Sequence, residues 1–474
     1  MTRADQGQDQ NPKGAGMLQS VNPATEALVE KYEEHTDEEV EAALTAAALA
    51  QRTWRATPIE RRLPLLRAIA RRLRADREPF ARLIVREMGK PLTEARAEVE
   101  KCAWTLDHYA EHAESYLAPQ PVPSSATEST VVFEPLGVLL AVMPWNYPFW
   151  QFFRFLAPAL AAGNAAILKH AGNVPACAVL LEEIVREAGA PAGLCGSLLV
   201  QPEKVAGLIA DDRIAAVTVT GSTRVGQIVA AQAGAHLKKH VLELGGSDPL
   251  IVLADADLDE ASTVAVRSRF NTCGQSCVNA KRLIVDERVA DAFVDLVVRK
   301  AAALAVGDPL DTATEIGPLA RGDLRDTLHD QVLRTVEAGA TLRLGGRPVP
   351  GPGFYYPPTV LDHVTPDMAA FTEETFGPVA GVTRVSGAEE AVELANRTSF
   401  GLGAALWTAD LDEARRIVPL IDAGAVFVNG QVASDPRLPF GGIKKSGYGR
   451  ELGEYGIREF VNVKTVWFGP AVAS

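Results

Sequence analysis

Between Gly137 and Leu244 short apolar runs alternate with amphipathic segments, and that alternation leaves few folds open to the chain. Gly137–Val142 and Ala165–Lys169 read as strands, Ala176–Glu187 as a helix, the stretch near Ser197–Val200 as a strand and Glu203–Ala210 as a helix. Ala216–Val219, Arg224–Ala233 and Lys239–Leu244 continue as strand, helix and strand. Strands separated by helices pair in parallel, which gives a doubly wound sheet. Such sheets bind nucleotides at the carboxyl ends of their strands. After Gly246 a second α/β series begins, with strands near Pro249–Leu253, Arg282–Val285 and Ala425–Val428.

The flanks differ in kind. Thr36 to Ser115 reads as successive amphipathic helices. Thr36-Asp-Glu-Glu39 has the capping-box pattern, and Thr57-Pro-Ile-Glu60 repeats it with Pro at the first helical position. The arginines at 61, 62, 71, 72 and 74 alternate with leucines at helical spacing, which describes a solvated helix face rather than a basic patch. Thr127–Glu134 and Val461–Phe468 read as strands, and Val463, Val466, Trp467 and Phe468 would expose an apolar edge if left unpaired. Residues 1–16 are polar and Gly-rich, without the apolar stretch of a secretory signal, and read as a disordered tail.

The net charge of −13 argues against a nucleic-acid partner. It also means that an anionic substrate needs its own local cation, since surface charge is screened beyond about 8 Å. No window approaches the ~20 apolar residues of a membrane span. Five cysteines (102, 177, 195, 273 and 277) form no paired framework and suit a reducing, cytoplasmic compartment. A metal site on Cys273 and Cys277 lacks nearby histidines.

Four segments carry chemistry. Cys277 ends Asn271-Thr-Cys-Gly-Gln-Ser-Cys277, and Glu243 lies 34 positions earlier in Leu242-Glu-Leu-Gly-Gly246. Pro144-Trp-Asn-Tyr-Pro148 holds Asn146 in a forced turn, and Glu374-Thr-Phe-Gly-Pro378 lies 97 positions after Cys277. A lone cysteine is usually a small buried hydrophobe, which is the reading for Cys102, Cys177 and Cys195. Glu243 on its own could cap the next helix. Its neighbours Val241, Leu242 and Leu244 instead desolvate it and raise its pKa, as a general base requires. Gly221-Ser-Thr-Arg-Val-Gly226 follows a strand and opens a helix, a setting that favours a pyrophosphate, although it is not a G-x-G-x-x-G fingerprint.

Taken together, these segments resemble the NAD(P)-dependent aldehyde dehydrogenase superfamily from about Val21 to Trp467. The resemblance implies two doubly wound α/β domains plus a small β oligomerisation domain. Residues 17–116 and 136–244 would bind the dinucleotide, 245–447 would form the catalytic domain, and 117–135 with 461–474 the oligomerisation domain. Residues 448–460 would return to pack on the cofactor domain. The assembly implied is a homodimer or homotetramer.

By the same resemblance Cys277 is the nucleophile that forms a thiohemiacetal and then a thioester, Glu243 the base that activates water, and Asn146 an oxyanion donor. Trp145, Lys169, Gly172, Gly221, Ser222, Gly226, Leu244, Glu374 and Phe376 would contact the cofactor. Lys169-His-Ala-Gly172 lacks the Glu that many NAD-preferring relatives carry three residues after the lysine. NADP is therefore favoured, with NAD still usable.

Arg154 lies eight residues after Asn146, about two helical turns. A cation between Phe153 and Phe155 needs a partner: an acid elsewhere in the chain, or the carboxylate of an ω-carboxylated aldehyde. Pro144–Asn173 together with Val432–Phe440 resembles a bacterial succinate-semialdehyde dehydrogenase branch. Trp150 and Ser434 are then candidate pocket residues, while Asn271 replaces a second arginine found in some relatives. The alternatives are a broad dehydrogenase for neutral aldehydes and a catalytically idle protein that retains the fold.

Overall fold

In a computed structural model, which describes residues 16–470, the first alternating series forms a six-stranded sheet. Its order is Gly447–Tyr448, Lys239–Glu243, Ile214–Thr220, Val138–Met143, Ala165–His170, Cys195–Ser197. Only the short Gly447–Tyr448 strand runs antiparallel to its neighbour. The tail expected over 1–16 lies outside the described residues except for Gly16, as do residues 471–474.

Chain order reverses at Val138–Met143, which pairs with Ala165–His170 on one side and with Ile214–Thr220 on the other. That reversal opens a crevice at the carboxyl ends of the strands. Register places Lys169 beside Val142, and Glu243 beside Thr220, so each ends its strand at this rim. The second sheet has seven strands, centred on Asp248–Val252 and Ala280–Asp286, with Val379–Val385 and Gly403–Trp407 outside them. A three-stranded sheet joins Val461–Phe468 to Glu128–Pro135 and Gln120–Pro121, and leaves Val463, Trp467 and Phe468 exposed.

Each large sheet has its own apolar core. The helix Trp150–Ala162 is buried on every side, with Phe152, Phe153, Phe155 and Leu156 in the first core. Burying each such side chain contributes about 1.5–3 kcal/mol, so this helix is firmly seated and fixes whatever Arg154 touches.

Thr36 forms the expected capping box with Glu39. Thr57 does not: it already caps the carboxyl end of the preceding helix, and its hydroxyl donates to the Thr53 carbonyl. The strand expected near Ser197–Val200 pairs instead over Cys195–Ser197, against Ala166–Leu168.

Candidate active site

A cavity of about 260 Å³ opens at the crevice where strand order reverses. Trp145 and Asn146 line it from the turn after Val138–Met143, and Lys169 and Gly172 from the end of the next strand. Gly221, Ser222 and Leu244 line a third wall, and Cys277, Glu374 and Phe376 close the far end. Ser222 caps the helix Thr223–Ala235 by accepting the Val225 N–H, so the positive end of that helix lies at the wall. Gly226 does not line the cavity. A Cβ there would meet the Leu244 side chain at 2.4 Å, so this glycine serves close packing of helix on sheet.

These residues fit a dinucleotide. Val225, Val229 and Leu244 supply apolar surface, and Lys169 and Glu374 add a lysine and a carboxylate to the lining. Glu374 accepts the Gly246 N–H at 3.0 Å and pairs with Lys281 at 3.4 Å. Phe376 meets Trp145 edge to face, with ring centroids 5.8 Å apart. His170 is neutral, because burial pushes its imidazole down to about 4. Its Nε2 donates to the Pro148 carbonyl while Nδ1 accepts from Ala171, which ties the Asn146 turn to the neighbouring strand.

The loop before Cys277 is held in an unusual shape. Thr272, Cys273 and Gly274 follow one another with φ of 53°, 54° and 74°, a left-handed run that costs about 1–3 kcal/mol for each residue other than glycine. A Cβ on Gly274 would come within 2.2 Å of the Gly377 carbonyl. The strain is offset by buried hydrogen bonds. Glu94 accepts the Thr272 N–H, Asn279 donates to the carbonyls of Arg269 and Asn271, and Arg269 donates to Thr375 and Gly377. Cys273 turns away, with its sulfur accepting the Gly317 N–H. It is buried like Cys102, Cys177 and Cys195, whereas Cys277 keeps some exposure and lines the cavity.

Burial pushes the Cys277 thiol up to about 12, while the nearby charges of Lys281 and Arg154 pull it down. Lys281, itself fully buried, donates to the carbonyls of Ser276 and Cys277 at 2.8 Å each. Asn146 donates one N–H to the Gln275 carbonyl at 3.0 Å, which leaves a second N–H on a side chain that lines the same cavity as Cys277.

Glu243 is buried at 2% exposure and neither carboxylate oxygen makes a hydrogen bond. Desolvation, followed by the negative charge of Glu451, raises its pKa well above the usual carboxylate range, against Arg154 and Arg450. Its Oε1 rests where a Cβ on Gly441 would stand 2.6 Å away. The chain then brings Gly246 against the Cys277 carbonyl, so base and thiol belong to adjoining segments.

Glu243, Arg154, Trp150 and Ser434 do not line this cavity. Arg154 is ion-paired with Glu451, both buried, and its ring neighbours are Phe440 at 4.8 Å and Trp150 at 5.9 Å. Of the two partners expected for this cation, the structure supplies the acid in the chain. Ser434 accepts a hydrogen bond from Lys101 at 2.7 Å, and Asn271 donates to the Tyr147 hydroxyl at 3.0 Å.

Sequence reasoning missed Glu451, Lys281 and Lys101. Lys281 carried a signal, a lysine at the second position of a strand four residues after Cys277. Glu451 and Lys101 sit in charged stretches that resemble solvated surface.

Residues 10–466 match the aldehyde dehydrogenase family, and the chain belongs to that family. The chain is 50% identical to the succinate semialdehyde dehydrogenase [NAD(P)+] Sad of Escherichia coli, over 94% of this chain and 97% of that one. A probable succinate-semialdehyde dehydrogenase [NADP(+)] of Synechocystis is 49% identical over 95% of this chain and 99% of its own. The succinic semialdehyde dehydrogenase of Streptococcus pyogenes, solved in complex with NADP+, superposes with a TM-score of 0.93 at 38% identity, covering 95% of this chain and 100% of that one. The fold is therefore aldehyde-dehydrogenase-like, and the protein is an oxidoreductase of that family rather than an idle scaffold.

Proposed function

We propose that the protein oxidises succinate semialdehyde, or a close ω-carboxylated aldehyde, to the dicarboxylate, using NADP or NAD. The observation that carries this reading is that Cys277 and Asn146 line the same cavity as Lys169, Gly221 and Glu374. A thiol, an oxyanion donor and a dinucleotide cleft thus open onto one space. The similarity to succinate-semialdehyde dehydrogenases over nearly the whole chain supports the choice of substrate.

In this mechanism the Cys277 sulfur bonds to the aldehyde carbon and its proton passes to Glu243 or solvent. The second Asn146 N–H holds the oxygen that becomes negative. Glu374 and Phe376 would hold the nicotinamide end of a bound NADP or NAD, which would supply the acceptor for the hydride that leaves the carbon. Cys277 then holds the acyl group as a thioester. Glu243 takes a proton from water, the new C–O bond forms, and the C–S bond breaks to release the acid.

Gly172 presents no carboxylate where a 2′-phosphate would lie, and Lys169 stands at the same rim, which supports NADP use without excluding NAD. The exposed apolar residues of the three-stranded sheet support docking of a second copy, so the reading includes a homodimer or homotetramer in the cytoplasm.

One observation favours the alternative of a broad dehydrogenase for neutral aldehydes: Glu451 already meets the Arg154 charge. A kinetic screen decides between them. The proposal expects kcat/KM for succinate semialdehyde to exceed that for butanal at least tenfold with NADP+. Equal values would refute it, and a hundredfold preference for NAD+ would overturn the cofactor reading.

A further inference from the structure

Three neighbouring strands of the second sheet, Asp248–Val252, Ala280–Asp286 and Val379–Val385, run parallel, so the segments that lead into them meet at one end of the sheet. Those segments carry Gly246, Cys277 and Glu374. Lys281, the second residue of the middle strand, reaches back among them. Its ammonium donates to the carbonyls of Ser276 and Cys277 at 2.8 Å each and stands 3.4 Å from the Glu374 carboxylate. The centre of the Phe376 ring lies 5.9 Å away.

This side chain is wholly buried, at 0% exposure, and a charge is kept in such a place only where acceptors surround it. An ammonium has three N–H donors. Two meet the carbonyls, which leaves the third for Glu374. The Glu374 oxygen that faces Lys281 also accepts the Gly246 N–H. One carboxylate oxygen and one ammonium therefore connect the cavity wall to the residue that carries the thiol. The steps assigned to Cys277, Glu243 and Asn146 make no use of this cation.

Charge is the part of Lys281 that its two carbonyl bonds do not explain, because a neutral amide could donate to a carbonyl as well. Four charged groups act on the Cys277 thiol besides burial. Lys281 and Arg154 favour its ionised form, while Glu374 and Asp248 oppose it. Around Lys281 itself, burial works against the ammonium, Glu374 and then Asp248 support it, and Arg269 opposes it.

We propose that Lys281 is a positioning residue of the reaction, which fixes the Cys277 carbonyl and lends its charge to the thiolate while Glu374 draws part of that charge away. The inference rests on the reading of Cys277 as the nucleophile. It makes the thiol and the Glu374 end of the cavity interdependent. A hydroxyl that bonds to Glu374 and loosens its hold on Lys281 favours the thiolate, and by linkage the thiolate favours that bond.

The test is alkylation of the full-length enzyme by iodoacetamide, a neutral reagent, at about pH 8, with peptide mass spectrometry to locate the label. The other four cysteines are buried, so the wild-type rate reports Cys277. Lys281→Met should slow labelling of Cys277 about 5–50-fold, because the thiolate fraction falls. Lys281→Gln, which can still donate to a carbonyl but carries no charge, should be slowed as well. Glu374→Gln should act in the opposite direction and quicken labelling about 2–10-fold.

A Lys281→Met rate within about twofold of wild type overturns the inference. So does a wild-type rate in Lys281→Gln, since a purely structural role needs only the hydrogen bond. Should neither Lys281 variant fold, Glu374→Gln decides, and labelling no faster than wild type counts against the proposal. A wild-type label on Cys273 instead of Cys277 would overturn the nucleophile reading and this inference with it. A label on Cys277 whose rate ignores the charge at position 281 overturns this inference alone.

Discussion

The two sides of Cys277 are built by different rules. On the cofactor side, backbone geometry does most of the work: strand ends, the capped helix Thr223–Ala235, and glycines where a Cβ would collide. On the other side, Lys101, the pair Trp150 and Arg154 of one helix, Ser434 and Glu451 come from separate segments and meet through side chains. A cleft set by backbone can therefore persist through many substitutions, while a cluster held by side chains changes with single ones. Glu243 stands where the two sides join, beside the cofactor wall in sequence and beside Glu451 and Arg154 in electrostatics.

The largest expected effect falls at that join. Glu243→Gln should lower steady-state kcat about 100- to 10,000-fold, because water is no longer activated. Pre-steady-state release of reduced cofactor should persist as a burst, and loss of the burst would show that Glu243 acts before acyl transfer. On the aldehyde side, Arg154→Leu strands the buried Glu451 without its cation. We expect a loss of about 3–5 kcal/mol in urea unfolding, and a stability within ~1 kcal/mol of wild type would mean that the pair is not what holds this end.

Asn146→Ala should reduce kcat about 100–1000-fold, the usual cost of removing one oxyanion donor. Near-full turnover would remove Asn146 from the mechanism. On the cofactor side, Gly172→Glu places a carboxylate beside Lys169 and should cut kcat/KM for NADP+ about 10–100-fold relative to NAD+. An unchanged ratio would place the 2′-phosphate elsewhere.

The smallest effect is a shift in pH dependence. In the proposed mechanism Glu243 is a base only when ionised, and its raised pKa means that kcat should climb as pH rises through that value. Glu451→Gln removes a negative charge that raises it further, so the ascending limb should move to lower pH. An unmoved limb would show that the two carboxyls do not communicate.

This contrast also explains what could be read from the sequence. The first sheet was legible because its strands, such as Val138–Met143 and Ala165–His170, are continuous apolar runs separated by helices. Thr359–Asp362, Val379–Val385 and Gly403–Trp407 were not singled out. They are short or interrupted by glycine, and their pairing is set by neighbours far away in sequence. The Thr57 cap misled because two helices meet there with little chain between them, and its hydroxyl serves the earlier one.

At the site, Cys277, Asn146 and Glu374 sit in motifs whose local chemistry is visible residue by residue. Lys101 and Glu451 have no such context. A lysine in an amphipathic helix reads as solvated until the fold lays Trp150 and Ser434 against it. Arg154 lay between these cases. Its apolar flanks demanded a partner, but only the fold could say that the partner is Glu451.

The most direct test of the account is intact-protein and peptide mass spectrometry of Glu243→Gln after a single turnover with succinate semialdehyde and NADP+. The account predicts a succinyl adduct on Cys277 that persists far longer than in the wild-type enzyme. No adduct, or an adduct on Cys273 or another cysteine, would contradict it.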